Sequence, residues 1–302
     1  MDQLTVGFLA WAVGLAFAGG ACLLLVLSLL PATAKAARPL WPVFASEAVI
    51  VVGGVGPWLL PAPLLLGCLL AAAARIGFES GTIHGLTSGR PLAMTGAAFL
   101  VLLCVCGWFL PVTAVLSIGL ALLLLGAGLT GLTKVKSVPG SLGRFLVFPA
   151  APFLMFAHAA SQPPLAPFLV LAFFLVEIFD SFSLLGGKLF GKTPLVPKLS
   201  PKKTWEGLAA GAMALFAVVI ALGAWLGLPL PGLLFTGIVI MAAALAGDLL
   251  GSSAKRRAGV KDYPPVMTVQ GGLLDIMDSW IVAGAAVAVL ATLMNWTALG
   301  PA

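Results

Sequence analysis

Apolar runs of roughly 17 to 25 residues follow one another from near residue 4 to near residue 298, each long enough to cross about 30 Å of hydrocarbon as a helix. In hydrocarbon every backbone N–H and C=O must be satisfied within the segment, so such a chain is restricted to helices or a closed barrel. Runs of this length select helices. Only 9% of residues are charged against 61% hydrophobic, whereas a soluble globule carries about a quarter charged residues. The expected fold is an all-α polytopic membrane protein. Ten transmembrane helices are placed at approximately 4–30, 43–60, 63–80, 92–110, 112–132, 145–160, 166–187, 207–227, 232–250 and 279–298, with nine as the alternative count. Pro61-Ala62-Pro63, Pro111, Pro163-Pro164 and Pro229-Leu230-Pro231 mark breaks between them. The first run lacks the basic start and short apolar centre of a cleaved signal, so it is expected to stay as a helix. Cys22, Cys68, Cys104 and Cys106 fall in apolar runs without metal-site spacing and are expected to be packing residues.

The basic residues test this arrangement independently of hydropathy. Of the 16 Lys and Arg, all but Arg75 lie in or beside the connections that follow odd-numbered helices: Lys35 and Arg38; Arg90; Lys134, Lys136 and Arg144; Lys188 to Lys203; Lys255 to Lys261. By the positive-inside rule those connections are cytoplasmic and both termini lie on the far side. Glu79, Glu177, Asp180, Asp248, Asp275 and Asp278 fall near the same ends of their helices. Setting topology needs only the basic residues; carboxylates gathered at the same depth point to a site, because charge in a bilayer-resident chain is tolerated mainly where it lines a wet cavity, binds ions or does chemistry. The net charge of +6 on that face suits anionic head groups or a nucleotide. The chain divides into N-terminal transmembrane helices over 1–144 and a C-terminal catalytic part over 145–302, with polar loops at 180–207 and 248–278.

The first loop combines Gly186, Gly187 and Gly191, which permit close backbone approach, with Lys188, Lys192, Lys198, Lys202 and Lys203, whose ammonium groups suit phosphate. Helix capping would account for Ser200, Thr204 and Glu206 in isolation; the lysines beside them favour phosphate contact. The second loop carries Asp248, Lys255, Arg256, Arg257, Lys261, Asp262, Asp275 and Asp278 within residues 247–279. Asp275 and Asp278 are spaced i, i+3 and share a helical face. Their oxygens suit Mg²⁺, which keeps several waters and bridges to substrate phosphates, while one of the two could equally serve a helix N-terminus. His84 is expected as a solvated loop residue, His158 as packed or interfacial, and Arg75 with Glu79 as an i, i+4 pair.

These residues resemble a known family. Ser200-Pro-Lys-Lys-Thr-Trp-Glu-Gly207, Gly247-Asp-Leu, Lys255-Arg256, Gly259-Val-Lys-Asp262, Gly271-Gly-Leu-Leu-Asp275 and Asp278-Ser279 are similar, in register, to phosphatidate cytidylyltransferases, the CDP-diacylglycerol synthases. Asp180, Gly187, Gly191, Leu195 and Pro197 fit the same pattern, so the resemblance covers at least residues 177–280. It implies a transferase that joins phosphatidate, or a related lipid phosphate, to CTP and releases pyrophosphate in phospholipid biosynthesis. It implies Asp248 and Asp275 as Mg²⁺ ligands, with room for a second monovalent or divalent cation. Asp248, Asp275, Asp278 and Lys203 would be catalytic, and Ser200, Lys202, Thr204, Lys255, Arg256, Lys261 and Asp180 would bind substrate. The partners implied are CTP, a lipid phosphate and membrane lipids, without nucleic acid, with a homodimer left open, in a bacterial inner membrane with the active face cytoplasmic. The alternatives are a nucleotidyltransferase for another lipid phosphate, such as an isoprenoid-based one, or a non-catalytic lipid-binding or transport homologue. Transporters place polarity at the bilayer midplane; this chain concentrates it at one interface. Six positions depart from the family pattern: Thr268-Val269-Gln270 replaces Pro-Gly-His, Ile276 replaces an Arg, Gly251 replaces an acidic residue, and Arg257 stands where an acidic residue is common. Arg257 is expected to restore the charge missing at Ile276.

Overall fold

A computed structural model describes residues 5–31, 34–38, 41–89, 91–134, 137–227, 229–267 and 271–294. Arg90, Lys136 and the Thr268-Val269-Gln270 segment lie outside the described residues. The chain runs through α1 (Val6–Leu29), the short α2 (Ala34–Ala37), α3 (Trp41–Val55), α4 (Ala62–Ser88), α5 (Ala93–Phe109), α6 (Val112–Leu132), α7 (Val138–Phe145), α8 (Ala151–Ala160), α9 (Ala166–Phe190), a hairpin of β1 (Pro194–Val196) and β2 (Ser200–Thr204), α10 (Trp205–Leu226), α11 (Leu230–Arg257) and α12 (Leu273–Leu293). Among the described residues, nine helical stretches are long and apolar enough to span a membrane, α7 and α8 counting as one; α5 is a shorter tenth. The protein is an integral membrane protein of the expected all-α class.

Boundaries follow the expected punctuation. Pro61, Pro111 and Pro229 sit at the N-caps of α4, α6 and α11, and Gly89 and Gly227 end α4 and α10 with φ of 71° and 65°, a left-handed cap that glycine adopts without strain. Two differences matter for the site. Helix α4 continues to Ser88 and α11 to Arg257, well beyond the approximate ends at 80 and 250 read from hydropathy, because polar residues can extend a helix once neighbouring helices cover it. The first polar loop is shorter than expected: α9 reaches Phe190, and the remainder folds as an antiparallel hairpin pairing Pro194 with Thr204 and Val196 with Ser200.

Helix packing relies on glycine, as expected where apolar lipid gives side chains no hydrophobic reason to associate and close approach does the work. A Cβ at Gly77 or Gly81 of α4 would collide with the backbone of α5. One at Gly207 or Gly211 would lie 2.5–2.6 Å from backbone oxygens of α9, and one at Gly247 would collide with the Asp278 carbonyl of α12. Gly186 is therefore spent on the α9–α10 contact. At the centre, Trp280 of α12 stacks edgewise on Phe156 and Phe173 at centroid distances of 4.9 and 5.0 Å, and its indole N–H donates to the Leu169 carbonyl at 3.0 Å. This anchors α12 two residues from Asp278. All four cysteines are free; Cys104 is buried, whereas Cys22 and Cys68 face outward.

Candidate active site

Gly247 and Gly251 draw α11 onto α12 where both helices carry a carboxylate. A Cβ at position 251 would stand 2.7 Å from the Asp278 carboxylate, so glycine there keeps room for it. Asp180 approaches from α9, beside Ser279. Asp180, Asp248 and Asp278 lie within electrostatic reach of one another. The Ser279 N–H donates to Asp278 at 2.6 Å and the Ser252 hydroxyl to Asp248 at 3.3 Å. From the hairpin, Lys203 forms an ion pair with Asp248. Burial alone would lower the Lys203 ammonium, but Asp248, aided by Asp180 and Asp278, outweighs it and raises its pKa above the ordinary lysine value. Three helices and a strand thus bring residues from both polar segments to one place.

Asp275 is differently employed. It forms an ion pair with Lys255, and its second oxygen accepts from the N–H groups of Tyr263 at 2.8 Å and Gly272 at 2.9 Å. It closes the N-terminus of α12 and fastens the preceding loop. Glu79 completes that fastening: fully buried, it accepts from Leu273 and Leu274 N–H at 2.9 and 2.7 Å and pairs with Arg75 at 2.6 Å, as the i, i+4 spacing predicts. Arg75 then donates to the Pro264 carbonyl at 2.6 Å. Gly271, at φ 87°, requires the left-handed conformation, and a Cβ at Gly272 would lie 2.6 Å from Tyr263 and 2.7 Å from Glu79.

The other expected residues divide. Thr204 is the N-cap of α10, accepting from Gly207 N–H at 3.1 Å, and Glu206 accepts from Lys192 and Thr193 N–H at 3.1 and 3.2 Å; local structure employs both. Ser200 is half-buried in the hairpin; Lys202, Arg256 and Lys261 are exposed around the cluster's end of the molecule. Arg256 donates to the Val260 carbonyl at 3.1 Å. Arg257 donates from its Nε to Ser253 at 3.3 Å and lies on the face of α11 opposite Asp248. His84 is also corrected. It is 2% exposed within the extended α4, not solvated. His158 is packed as expected, its Nδ1 3.1 Å from the Gly107 carbonyl. Sequence reasoning missed Tyr263, the chain's single tyrosine. Its hydroxyl is buried without a hydrogen-bond partner among the described residues, and Lys255 lies 5.2 Å above its ring. Burial first, then the charges of Asp278, Asp275 and Glu79, push the phenol well above its ordinary value, so it keeps its proton and can donate. Only its place inside the polar loop signalled it.

A polytopic helical membrane protein with a buried carboxylate–lysine cluster at one end is the class that this fold and site define. Residues 37–294 match the cytidylyltransferase family, and the chain belongs to that family. It is 44% identical over 108 residues to phosphatidate cytidylyltransferase 5 of Arabidopsis thaliana chloroplasts, covering 35% of this chain and 27% of that protein. It is 34% identical over 140 residues to the phosphatidate cytidylyltransferase of Aquifex aeolicus, covering 45% and 51%, and 34% identical over 137 residues to that of Haemophilus influenzae, covering 43% and 48%. The matches thus span about a quarter to a half of these relatives' own lengths.

Proposed function

We propose that the protein is a membrane cytidylyltransferase that converts CTP and phosphatidate, or a closely related lipid phosphate, to CDP-diacylglycerol and pyrophosphate. The observation that carries this reading is the convergence of Asp180, Asp248, Asp278 and Lys203 from two separate polar segments at the end of the bundle. A lipid phosphate oxygen would attack the α-phosphorus of CTP, the bond to the bridging α–β oxygen would break, and pyrophosphate would leave. No protein nucleophile is required; positioning and charge neutralisation supply the catalysis. Lys203 and Lys255 would offset phosphate charge near the reacting atoms, while exposed Lys202, Arg256 and Lys261 would gather the nucleotide.

The donor set fits a hard cation. Among the described residues no three carboxylate, His or Cys side chains are gathered tightly enough to coordinate an ion by themselves. Mg²⁺ is ordinarily held by one or two carboxylates with waters and substrate phosphates. Asp248 and Asp278 would supply those oxygens, whereas Asp275 would first have to release Lys255 and two backbone N–H groups. Bound there, the ion would neutralise charge on the triphosphate. We propose that this end of the bundle faces the cytoplasm from a bacterial inner membrane, a reading that the basic connections support. The test is purified protein in detergent with CTP, Mg²⁺ and a panel of lipid phosphates, scored for pyrophosphate release. Release with phosphatidate is expected; CTP binding without release on any lipid phosphate would overturn the assignment.

A further inference from the structure

Helix α11 has a second polar face. Asp248, Gly251, Ser252 and Lys255 follow i, i+3, i+4, i+7 spacing and face the carboxylate cluster. Leu250, Ser253, Ala254 and Arg257 follow the same spacing two residues on, about 200° around the helix, and line a separate cavity of about 360 Å³. Thr130 of α6, Arg144 of α7 and His84 of α4 close it, with Val147 and Phe148 beneath. This volume is within the range of about 300–1,000 Å³ usual for small-ligand sites.

The lining carries two guanidinium groups and a histidine, and none of the described lining residues is acidic. Arg144 and Arg257 act on each other electrostatically, and like charges held together beside a low-dielectric interior are unfavourable unless an anion comes between them. Arg257 spends Nε on Ser253 at 3.3 Å, which leaves its two terminal nitrogens for a ligand. Arg144 is steadied by a bond from its Nη2 to Ser141 at 3.0 Å. His84 is the independent sign of a ligand. It is 2% exposed, lines the cavity, and neither ring nitrogen has a hydrogen-bond partner among the described residues. A buried imidazole almost always finds one, and here the adjoining space is the cavity itself. The Phe145 ring stands edge-on to it at a centroid distance of 6.1 Å.

We infer that this cavity binds a phosphate-bearing anion, held by Arg144 and Arg257 with a hydrogen bond from His84, at a site separated from the carboxylate cluster by the thickness of α11. Planar guanidinium forks match phosphate oxygens, and the exposed Arg257 places the mouth where either a lipid head group or a free phosphate can enter.

The full-length protein in detergent is titrated with phosphatidylglycerol against phosphatidylcholine, read by native mass spectrometry, and with inorganic phosphate, read by calorimetry. Preferential retention of phosphatidylglycerol would identify a lipid head group as the source, and binding of inorganic phosphate a free anion. In either case Arg257→Glu, which offers Arg144 an internal carboxylate, should weaken binding at least tenfold, and Arg257→Gln, which keeps the side-chain length in an exposed last turn, should do so with an unchanged unfolding midpoint. Lys203→Met should leave this binding intact although it cripples the carboxylate cluster. Absence of anion preference in the wild-type protein, binding that survives both Arg257 variants, or binding that vanishes with Lys203→Met would each overturn the inference.

Discussion

At the residue scale, the two aspartates of α12 are distinguished by what their oxygens already hold. Asp278 accepts one short bond from its neighbour and otherwise faces Asp248 and Asp180, so its oxygens are available to the reaction. Asp278→Asn should lower pyrophosphate release by about 10²–10³-fold, the usual cost of one preorganised electrostatic group, with little change in the unfolding midpoint. Asp275 is committed to Lys255 and two N–H groups; Asp275→Asn should instead destabilise the fold by about 3 kcal/mol, as breaking a buried pair does. Scanning calorimetry beside the activity assay separates the two, and an Asp275→Asn protein of normal stability without turnover would return Asp275 to a catalytic role. Lys203 sets a pH dependence. Its pKa is raised in the folded state by Asp248, so its contribution to stability is complete below the unfolded lysine value and is lost as pH rises through the higher folded value. The stability difference between the wild-type protein and Lys203→Met should hold constant from neutrality to about pH 10 and shrink above it, as followed by thermal unfolding across that range.

At the element scale, the site depends on how α4, α11 and α12 meet. Gly251 leaves the Asp278 carboxylate its space, so Gly251→Ala, whose Cβ would stand 2.7 Å away, should displace that carboxylate and cut turnover on the order of 10²-fold, since misplacement by about 1 Å can cost that much. CTP affinity, measured in parallel, should change far less. Glu79→Ala removes the cap from the first turn of α12 and strands Arg75 beside the Pro264 carbonyl. A drop of about 3 kcal/mol in stability is expected, and a loss below 1 kcal/mol would show that Asp275 alone closes that helix. Much of this region was legible in the sequence: topology gathered Asp180, Asp248 and Asp278 at one end, the family resemblance singled out Lys203, and i, i+4 spacing alone gave the Arg75–Glu79 pair. The rest was not. Nothing local marks Asp275 as a cap and Asp278 as free, because both suit a helix start, and the choice is made by Lys255 and by the turn at Gly271 and Gly272. His84 was misread because hydropathy ends α4 near residue 80, while contact with α5 through Gly77 and Gly81 carries the helix to Ser88.

At the scale of the whole molecule, hydropathy and charge make two independent statements that the bundle combines. Apolar length sets the number of spans, and the basic residues choose which set of connections stays at the protein-rich face. Lys198 in the hairpin connection and Arg256 at the end of α11 share one end with the carboxylate cluster, whereas Leu60 before α4 and Gln162 before α9 mark the other. If the charges orient the chain, single cysteines introduced at Lys198 and at Gln162, in a background without Cys22, Cys68, Cys104 and Cys106, should react oppositely with a membrane-impermeant maleimide. In right-side-out vesicles Gln162→Cys should label and Lys198→Cys only after permeabilisation. The orientation carries chemical weight, because CTP is a polyanion that does not cross hydrocarbon and can reach Asp248 and Lys203 only from the side on which their cluster opens. Labelling of Lys198→Cys from outside would therefore put the cluster out of reach of the cytosolic nucleotide pool, and with it the cytidylyltransferase reading of the site.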